Sequence, residues 1–134
     1  MNLFDECISV LNKNCEVLSQ EETSQLIKEF SDIYPITFYG RIDWQKVSLK
    51  ISIKLLSEIF QSLKMHHKDL TAPIYIFWDS GPFSAVKSSL DIALDNIDDI
   101  TAVSFDTWIY CPTEGWVIEL YHDGEVTLGF EENK

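Results

Sequence analysis

The chain has 134 residues, a length that predicts one domain over residues 1–134. Of these residues 46% are hydrophobic and 13% aromatic, which argues for a packed globule and against disorder. Its 22 acidic and 10 basic residues give a formal net charge of −12, which argues against binding to nucleic acid or anionic membranes. Such a charge attracts basic proteins, although many cytosolic proteins are acidic for solubility alone. The cysteines lack disulfide or zinc spacing, the N-terminus lacks signal-peptide features, and no apolar run approaches the roughly 20 residues of a membrane span, so we expect a cytoplasmic protein.

The first third of the chain has helical periodicity. The apolar residues that recur at helical spacing near the N-terminus are Leu3, Cys7, Val10 and Leu11. Ser19 and Glu22 have the spacing of a capping box, which predicts a second helix from about Gln20. That helix is predicted to end at Tyr34, because the residue before Pro35 avoids the helical region. Its predicted inward residues are Leu26, Ile27 and Phe30.

The next segment is ambiguous. From Ile36 to Trp44 an aromatic, β-prone stretch is interrupted by Gly40, and a short strand and a loop are equally compatible with it. Val47 to Leu63 is predicted to be a helix. The apolar residues alternate at its start, however, so this part fits a strand as well.

A strand–helix unit is predicted in the middle of the chain. Pro73 to Trp78 is a short apolar run typical of a buried strand. Asp79 to Pro82 is predicted to form a turn that opens a helix running to about Ile97. The inner face of this helix would carry Val86, Leu90, Ala93 and Ile97. The opposite face would carry Asp91, Asp95 and Asp98.

The last third alternates with a period of two residues, as three strands separated by a loop at Cys111–Gly115 and a hairpin turn at His122–Gly124. The predicted fold class is therefore α+β: N-terminal helices, a strand–helix unit and a C-terminal three-stranded antiparallel meander, with helices packed on one face of the sheet. The strand residues expected to face the helices are Val103, Phe105, Trp116, Ile118, Leu120, Val126 and Leu128.

The other face of the meander is the first candidate site. It would present Asp106, Trp108, Tyr110, Glu119, Tyr121, Glu125 and Thr127. Aromatic side chains are typical interface anchors, and carboxylates pair with Arg and Lys of a partner. We therefore predict that a partner protein binds this face. The alternative is that the N-terminal helices cover it and the aromatic rings form a second core.

The second candidate site is the acidic helix face formed by Asp91, Asp95 and Asp98. Like charges four residues apart destabilise a helix by a few tenths of a kcal/mol. This face could attract a cationic protein, and we count these residues among the predicted partner-binding positions. The alternative is an ordinary solvated face.

Signals for catalysis are weak. The turn at Asp79–Pro82 lacks the nucleophile-elbow pattern, and the adjacent His66 and His67 would point in different directions on a helix. His122 lies in a turn, and nothing in the sequence near Cys111 would lower the pKa of its thiol. There is no phosphate-binding loop, dinucleotide fingerprint or calcium loop. We predict a binding protein without catalytic residues, cofactor or metal.

Several segments of the last third resemble a known pattern. They are Asp106–Tyr110, Pro112, Gly115–Glu119, Tyr121–Gly124 and Thr127–Gly129, with a looser fit of the upstream Tyr75–Trp78 and Leu90–Ile97. Over roughly residues 73 to 130 this resembles the immunity proteins of bacterial contact-dependent growth inhibition, which are encoded beside polymorphic toxins. The resemblance implies a small cytosolic inhibitor that binds the toxin domain of its own strain.

Many such toxins are nucleases, and they are often basic, which suits an acidic inhibitor. We expect a monomer that forms a 1:1 complex with the toxin domain. The resemblance assigns no binding residues, and those named above come from the surface argument alone. Two alternatives stay open at this point: a small acidic adaptor or secretion-chaperone-like binding module, and a small hydrolase or transferase using His122, Asp123 or Cys111.

Overall fold

The computed structural model describes residues 2–79 and 83–131. Within these ranges the helices are α1 (Leu3–Leu11), α2 (Gln20–Ile33), α3 (Ser57–Met65), α4 (Leu90–Asp95) and α5 (Ile97–Thr101). The strands are β1 (Glu16–Val17), β2 (Leu49–Ile53), β3 (Ile74–Trp78), β4 (Val86–Ser88), β5 (Thr107–Cys111), β6 (Trp116–Leu120) and β7 (Val126–Phe130). Short 3₁₀ turns occupy Asn12–Asn14 and Trp44–Lys46.

All seven strands join one antiparallel sheet in the order β1-β4-β3-β5-β6-β7-β2. The mixed helix-and-sheet class predicted from the sequence is confirmed. The predicted three-stranded sheet, however, is only part of a larger one. β3 flanks β5 on one side, and β2 extends the sheet beyond β7, where Ile51 lies opposite Leu128.

Helices cover both faces of the sheet, and the prediction that they pack on one face is wrong. α1, α3, α4 and α5 pack on the face that carries Ile76, Ile109 and Ile118. α2 packs on the opposite face through Leu26 and Phe30. The physical reason is that the strands are apolar on both sides, so each face must be removed from water.

The second helix forms as its capping residues predict. The Ser19 hydroxyl accepts a hydrogen bond from the Glu22 amide at 3.1 Å, and the Glu22 carboxylate accepts one from the Ser19 amide at 2.9 Å. Tyr34 ends the helix with an extended backbone immediately before Pro35. Leu26 and Phe30 are buried as predicted, while Ile27 is half-buried.

The helix predicted over Val47–Leu63 is wrong for its first half. Leu49–Ile53 is strand β2, and the helix proper begins at Ser57. The period-two alternation of apolar residues favours a strand here, where it pairs with the whole of β7. The Glu58 carboxylate then starts α3 by accepting hydrogen bonds from the amides of Lys54 and Leu55 at 2.9 and 2.6 Å.

The long helix predicted after the Asp79–Pro82 turn is also wrong. Positions 80–82 of that turn lie outside the described residues. Val86–Ser88 forms strand β4 between β1 and β3. The remaining helical stretch is broken at Asn96, which separates α4 from α5. Asp91 and Asp95 therefore lie on α4 and Asp98 on α5, all three exposed.

Within the described part of the chain, no helix combines the length and apolar character that crossing a membrane requires.

Candidate functional site

Four of the predicted partner-binding residues are buried. Trp108, Tyr110 and Glu119 are 6%, 1% and 0% exposed, and Asp106 is 7% exposed. The prediction that their face of the meander is open to a partner is wrong, because α2 and the segment that follows it lie across this face. Phe30 of that helix packs edge-to-face on Tyr110 at 5.3 Å between ring centroids. The alternative stated above, a second aromatic core, is what the structure contains.

The other predicted residues reach the surface. Tyr121 is half-buried, and Glu125 is exposed, both at the turn between β6 and β7. Asp91, Asp95 and Asp98 are exposed on α4 and α5. The predicted residues that remain accessible therefore form two separate groups, one at the β6–β7 turn and one on α4 and α5.

The buried Glu119 is the centre of a hydrogen-bond network. Its Oε1 accepts from Arg41 Nε and from Trp44 Nε1, each at 2.9 Å. Its Oε2 accepts from the Ile42 amide at 2.8 Å and from Trp108 Nε1 at 3.1 Å. A buried carboxylate is stable only with such partners. Three of the four donors belong to the segment between α2 and β2, so this one side chain fixes that segment on the sheet.

Arg41 joins this network to the surface. Its Nη2 lies 2.8 Å from Glu119 Oε1 and 3.4 Å from Glu125 Oε1, and its guanidinium lies 4.2 Å from the centroid of the Tyr121 ring. Burial by itself would lower the pKa of Arg41. The hydrogen bond and charge of Glu119, together with those of Glu125, outweigh burial and raise the pKa of Arg41. Arg41 is therefore a fixed cation between two carboxylates.

The segment that Arg41 anchors ends in an exposed aromatic turn. The Thr37 amide donates to the Arg41 carbonyl at 2.8 Å, and Gly40, with φ of 89°, donates to the Thr37 carbonyl at 3.0 Å. Phe38 at the tip is fully exposed, and Tyr39 is more than half exposed. Their rings pack edge-to-face at 5.1 Å.

A second exposed aromatic group lies beside the β6–β7 turn. Phe105 is 78% exposed, although the sequence predicted it to face the helices. Its ring lies edge-on to His122 at 6.1 Å, and the His122 ring lies 4.1 Å from that of Tyr121. The Arg41 guanidinium stacks on the Tyr121 ring, so Arg41 links this group to the turn that carries Phe38 and Tyr39. We refer to Phe38, Tyr39, Phe105, Tyr121 and His122 as the aromatic rim.

Comparison with known families adds an independent observation. A sequence model described as CdiI immunity protein EcoliA0-like matches residues 1–129. The chain belongs to the CdiI immunity protein family. This confirms the resemblance found in the last third and extends it to the N-terminal helices. A shorter similarity, 44% identity over 36 residues, links 27% of this chain with 69% of the uncharacterized protein YqzI of Bacillus subtilis.

Membership of the CdiI family indicates a toxin-neutralising immunity function. Sequence reasoning reached that class but missed the exposed Phe38 and Tyr39 of this immunity protein, and the half-buried Arg41 that pairs with Glu119. The signal that could have found them is the aromatic pair directly before Gly40, within the stretch left as strand or loop. Gly40 favours a turn because glycine adopts positive φ without steric cost, and a turn at the surface would expose the two rings before it.

The polar groups weighed for catalysis have structural partners in this CdiI-family protein. Asp106 accepts from the His122 amide at 2.9 Å and lies 3.0 Å from His122 Nδ1, which fixes the turn after β6. Burial raises the pKa of the Cys111 thiol, which disfavours the reactive thiolate. Among the described residues, no three His, Cys, Asp or Glu side chains are grouped to hold a metal ion.

Proposed function

We propose that this CdiI-family protein neutralises its toxin without catalysis, as a monomer that binds the toxin domain in a 1:1 complex. The observation that carries this proposal is the aromatic rim, in which Phe38 and Phe105 are exposed and Tyr121 lies at the same turn as the exposed Glu125. Aromatic side chains dominate the binding energy of protein interfaces. A carboxylate beside them pairs with Arg or Lys of a partner.

We propose that the toxin domain is a basic nuclease. The inhibitor carries a net charge of −12. A nuclease surface that holds phosphate groups is positive, and it would attract an acidic protein over several ångströms. The same charge disfavours nucleic acid and membrane surfaces as partners of the inhibitor itself. Its three cysteines are free thiols, which suits action in the reducing cytoplasm.

The predicted partner-binding residues take three roles in this proposal. Tyr121 of the aromatic rim and the adjacent Glu125 contact the toxin directly. Asp91, Asp95 and Asp98 contribute to the attractive field, since they are exposed on α4 and α5. The buried residues support the rim from beneath: Asp106 holds the His122 turn, Glu119 holds the Arg41 segment, and Trp108 and Tyr110 fill the core under α2.

The experiment is a titration of the toxin domain encoded by the neighbouring reading frame. We expect the immunity protein to co-purify with this domain and to abolish its cleavage of RNA or DNA at one equivalent. Phe105→Ser and Tyr121→Ala are each expected to weaken binding by about 2 kcal/mol, as at interface hot spots. Retention of full nuclease activity by the toxin at a tenfold excess of folded inhibitor would refute the proposal.

A further inference from the structure

Phe38 and Tyr39 are exposed at the tip of a turn, but the chain beneath this turn is held in place. Phe38 has no burial at all in the free protein, which is unfavourable for a large apolar ring in water. Beneath the tip, the chain is held by the Glu119 carboxylate through Arg41, Ile42 and Trp44. A loop that is exposed only because it is loosely attached would not be anchored by such a set of hydrogen bonds.

We propose that Phe38 and Tyr39 insert as a pair into an apolar pocket of the toxin domain, and that Glu119 is a positioning residue for this contact. The inference rests on the proposed function, because the occupant is the toxin. It goes beyond it by naming the anchor and the residue that sets its geometry.

The chemistry around the tip describes the pocket that fits it. The rings of Phe38 and Tyr39 pack edge-to-face at 5.1 Å between centroids, so they present one contiguous aromatic surface rather than two separate side chains. Arg41, the cationic residue nearest to them in sequence, is already paired with Glu119 and Glu125. The pocket on the toxin is therefore apolar at its floor and bordered by basic side chains that meet Glu125.

Pre-organisation explains why a buried carboxylate serves this contact. Ordering a free loop on binding reduces affinity, so a loop that is already ordered binds more tightly for the same contacts. Glu119 supplies that order because its two oxygens accept from two side chains of the segment and from one backbone amide. Glu119→Gln would replace one acceptor oxygen by an NH₂ donor that faces other donors.

The first test measures the Kd of the neighbouring toxin domain for Phe38→Ser and for the control Met65→Ser. Met65 is also an exposed apolar residue, 77% accessible, but it lies at the end of α3. We expect Phe38→Ser to raise Kd about 30-fold or more, the factor that corresponds to a hot spot. Met65→Ser is expected to leave Kd within about 3-fold.

Equal Kd values for wild type and Phe38→Ser would overturn the inference while leaving the immunity function intact. If wild type itself does not bind the toxin domain, the proposed function fails instead. Self-association of the wild type that Phe38→Ser abolishes, without a change in toxin Kd, would assign the tip to a second copy of this chain and overturn the inference as well.

The second test separates positioning from general stability. We expect Glu119→Gln to speed amide hydrogen exchange in residues 36–44 by a larger factor than in β3, and to raise the toxin Kd. Phe38→Ser is expected to raise the toxin Kd by a smaller factor in the Glu119→Gln background than in the wild type, because the tip is already displaced. Should Glu119→Gln fail to fold, Trp44→Phe, which deletes a single donor, gives the same readouts. Fully additive effects of the two substitutions would overturn the positioning role.

Discussion

The indole ring of Trp44 lies directly on Gly129 of β7. A Cβ atom placed at Gly129 would be 2.4 Å from Trp44 Cζ3, closer than any real contact. Gly129 thus leaves the gap in the sheet surface that lets Trp44 approach and donate to Glu119 at 2.9 Å. Trp44 can therefore help to hold residues 36–44 on the sheet only because β7 has no side chain at position 129.

Gly129→Ala is therefore expected to displace Trp44 and loosen residues 36–44. We expect a loss of about 1–3 kcal/mol of unfolding free energy, the usual cost of overpacking. Urea denaturation measures the loss. In the Trp44→Ala background the same glycine substitution is expected to cost little, because the obstructing ring is gone. An equal cost in both backgrounds would show that the clash is not the cause.

Removing the charge of Glu119 is expected to cost far more than removing that of Glu125. Both carboxylates approach Arg41, but the Glu119 side chain is 0% exposed and that of Glu125 is 49% exposed. We expect Glu119→Gln to lower the free energy of unfolding by about 3 kcal/mol and Glu125→Gln by about 0–1 kcal/mol. Denaturation midpoints measured side by side test this, and similar losses for the two variants would count against the network.

The sequence predicted the elements whose signals are local. The capping box of Ser19 and Glu22 defines the start of α2, and the apolar run ending at Trp78 defines β3, because these patterns depend on neighbouring residues only. The alternation in the last third likewise predicted which residues share a strand face.

Contacts between distant segments could not be predicted in this way. Arg41 and Glu119 are 78 residues apart in sequence, and nothing near either residue identifies the other as its partner. Alternation shows that Trp108 and Tyr110 share a face, but not that α2 covers it. The exposure of the meander was therefore misjudged, while the exposed Phe38 lay in a segment without regular structure.

Stability is expected to fall in alkaline solution. Burial, with smaller effects of Asp99 and Cys15, raises the pKa of Cys7 from 9.0 to about 11, and burial likewise raises the pKa of Tyr110 to about 12. A group whose pKa is higher in the folded state stabilises the fold below its unfolded pKa and loses that contribution as the pH rises through the folded pKa.

For Cys7 this corresponds to a loss of about 2 kcal/mol by pH 10.5 relative to pH 8. Urea denaturation at the two pH values measures it. The Cys7→Ala variant, less stable at pH 8, is expected to show a smaller dependence on pH over this interval. The same midpoint shift in wild type and variant would rule out a contribution from this thiol.

The acidic residues of α4 and α5 are expected to speed association with the toxin. Replacing Asp91, Asp95 and Asp98 by Asn is expected to lower the association rate constant about tenfold at low salt, with little change in the dissociation rate. The control replaces the exposed Glu16, Glu21 and Glu29 by Gln, which changes the net charge equally. Stopped-flow mixing measures both, and equal slowing by the two sets would assign the effect to net charge alone.

Hydrogen-exchange footprinting of the inhibitor with and without the neighbouring toxin domain tests most directly where the toxin binds. We expect new protection in residues 36–41, around Phe105 and in residues 121–125, with α3 unchanged. Protection confined to α3 or to the β1 edge of the sheet, with no change at Phe38 or Tyr121, would contradict the assignment of the aromatic rim as the toxin-binding surface.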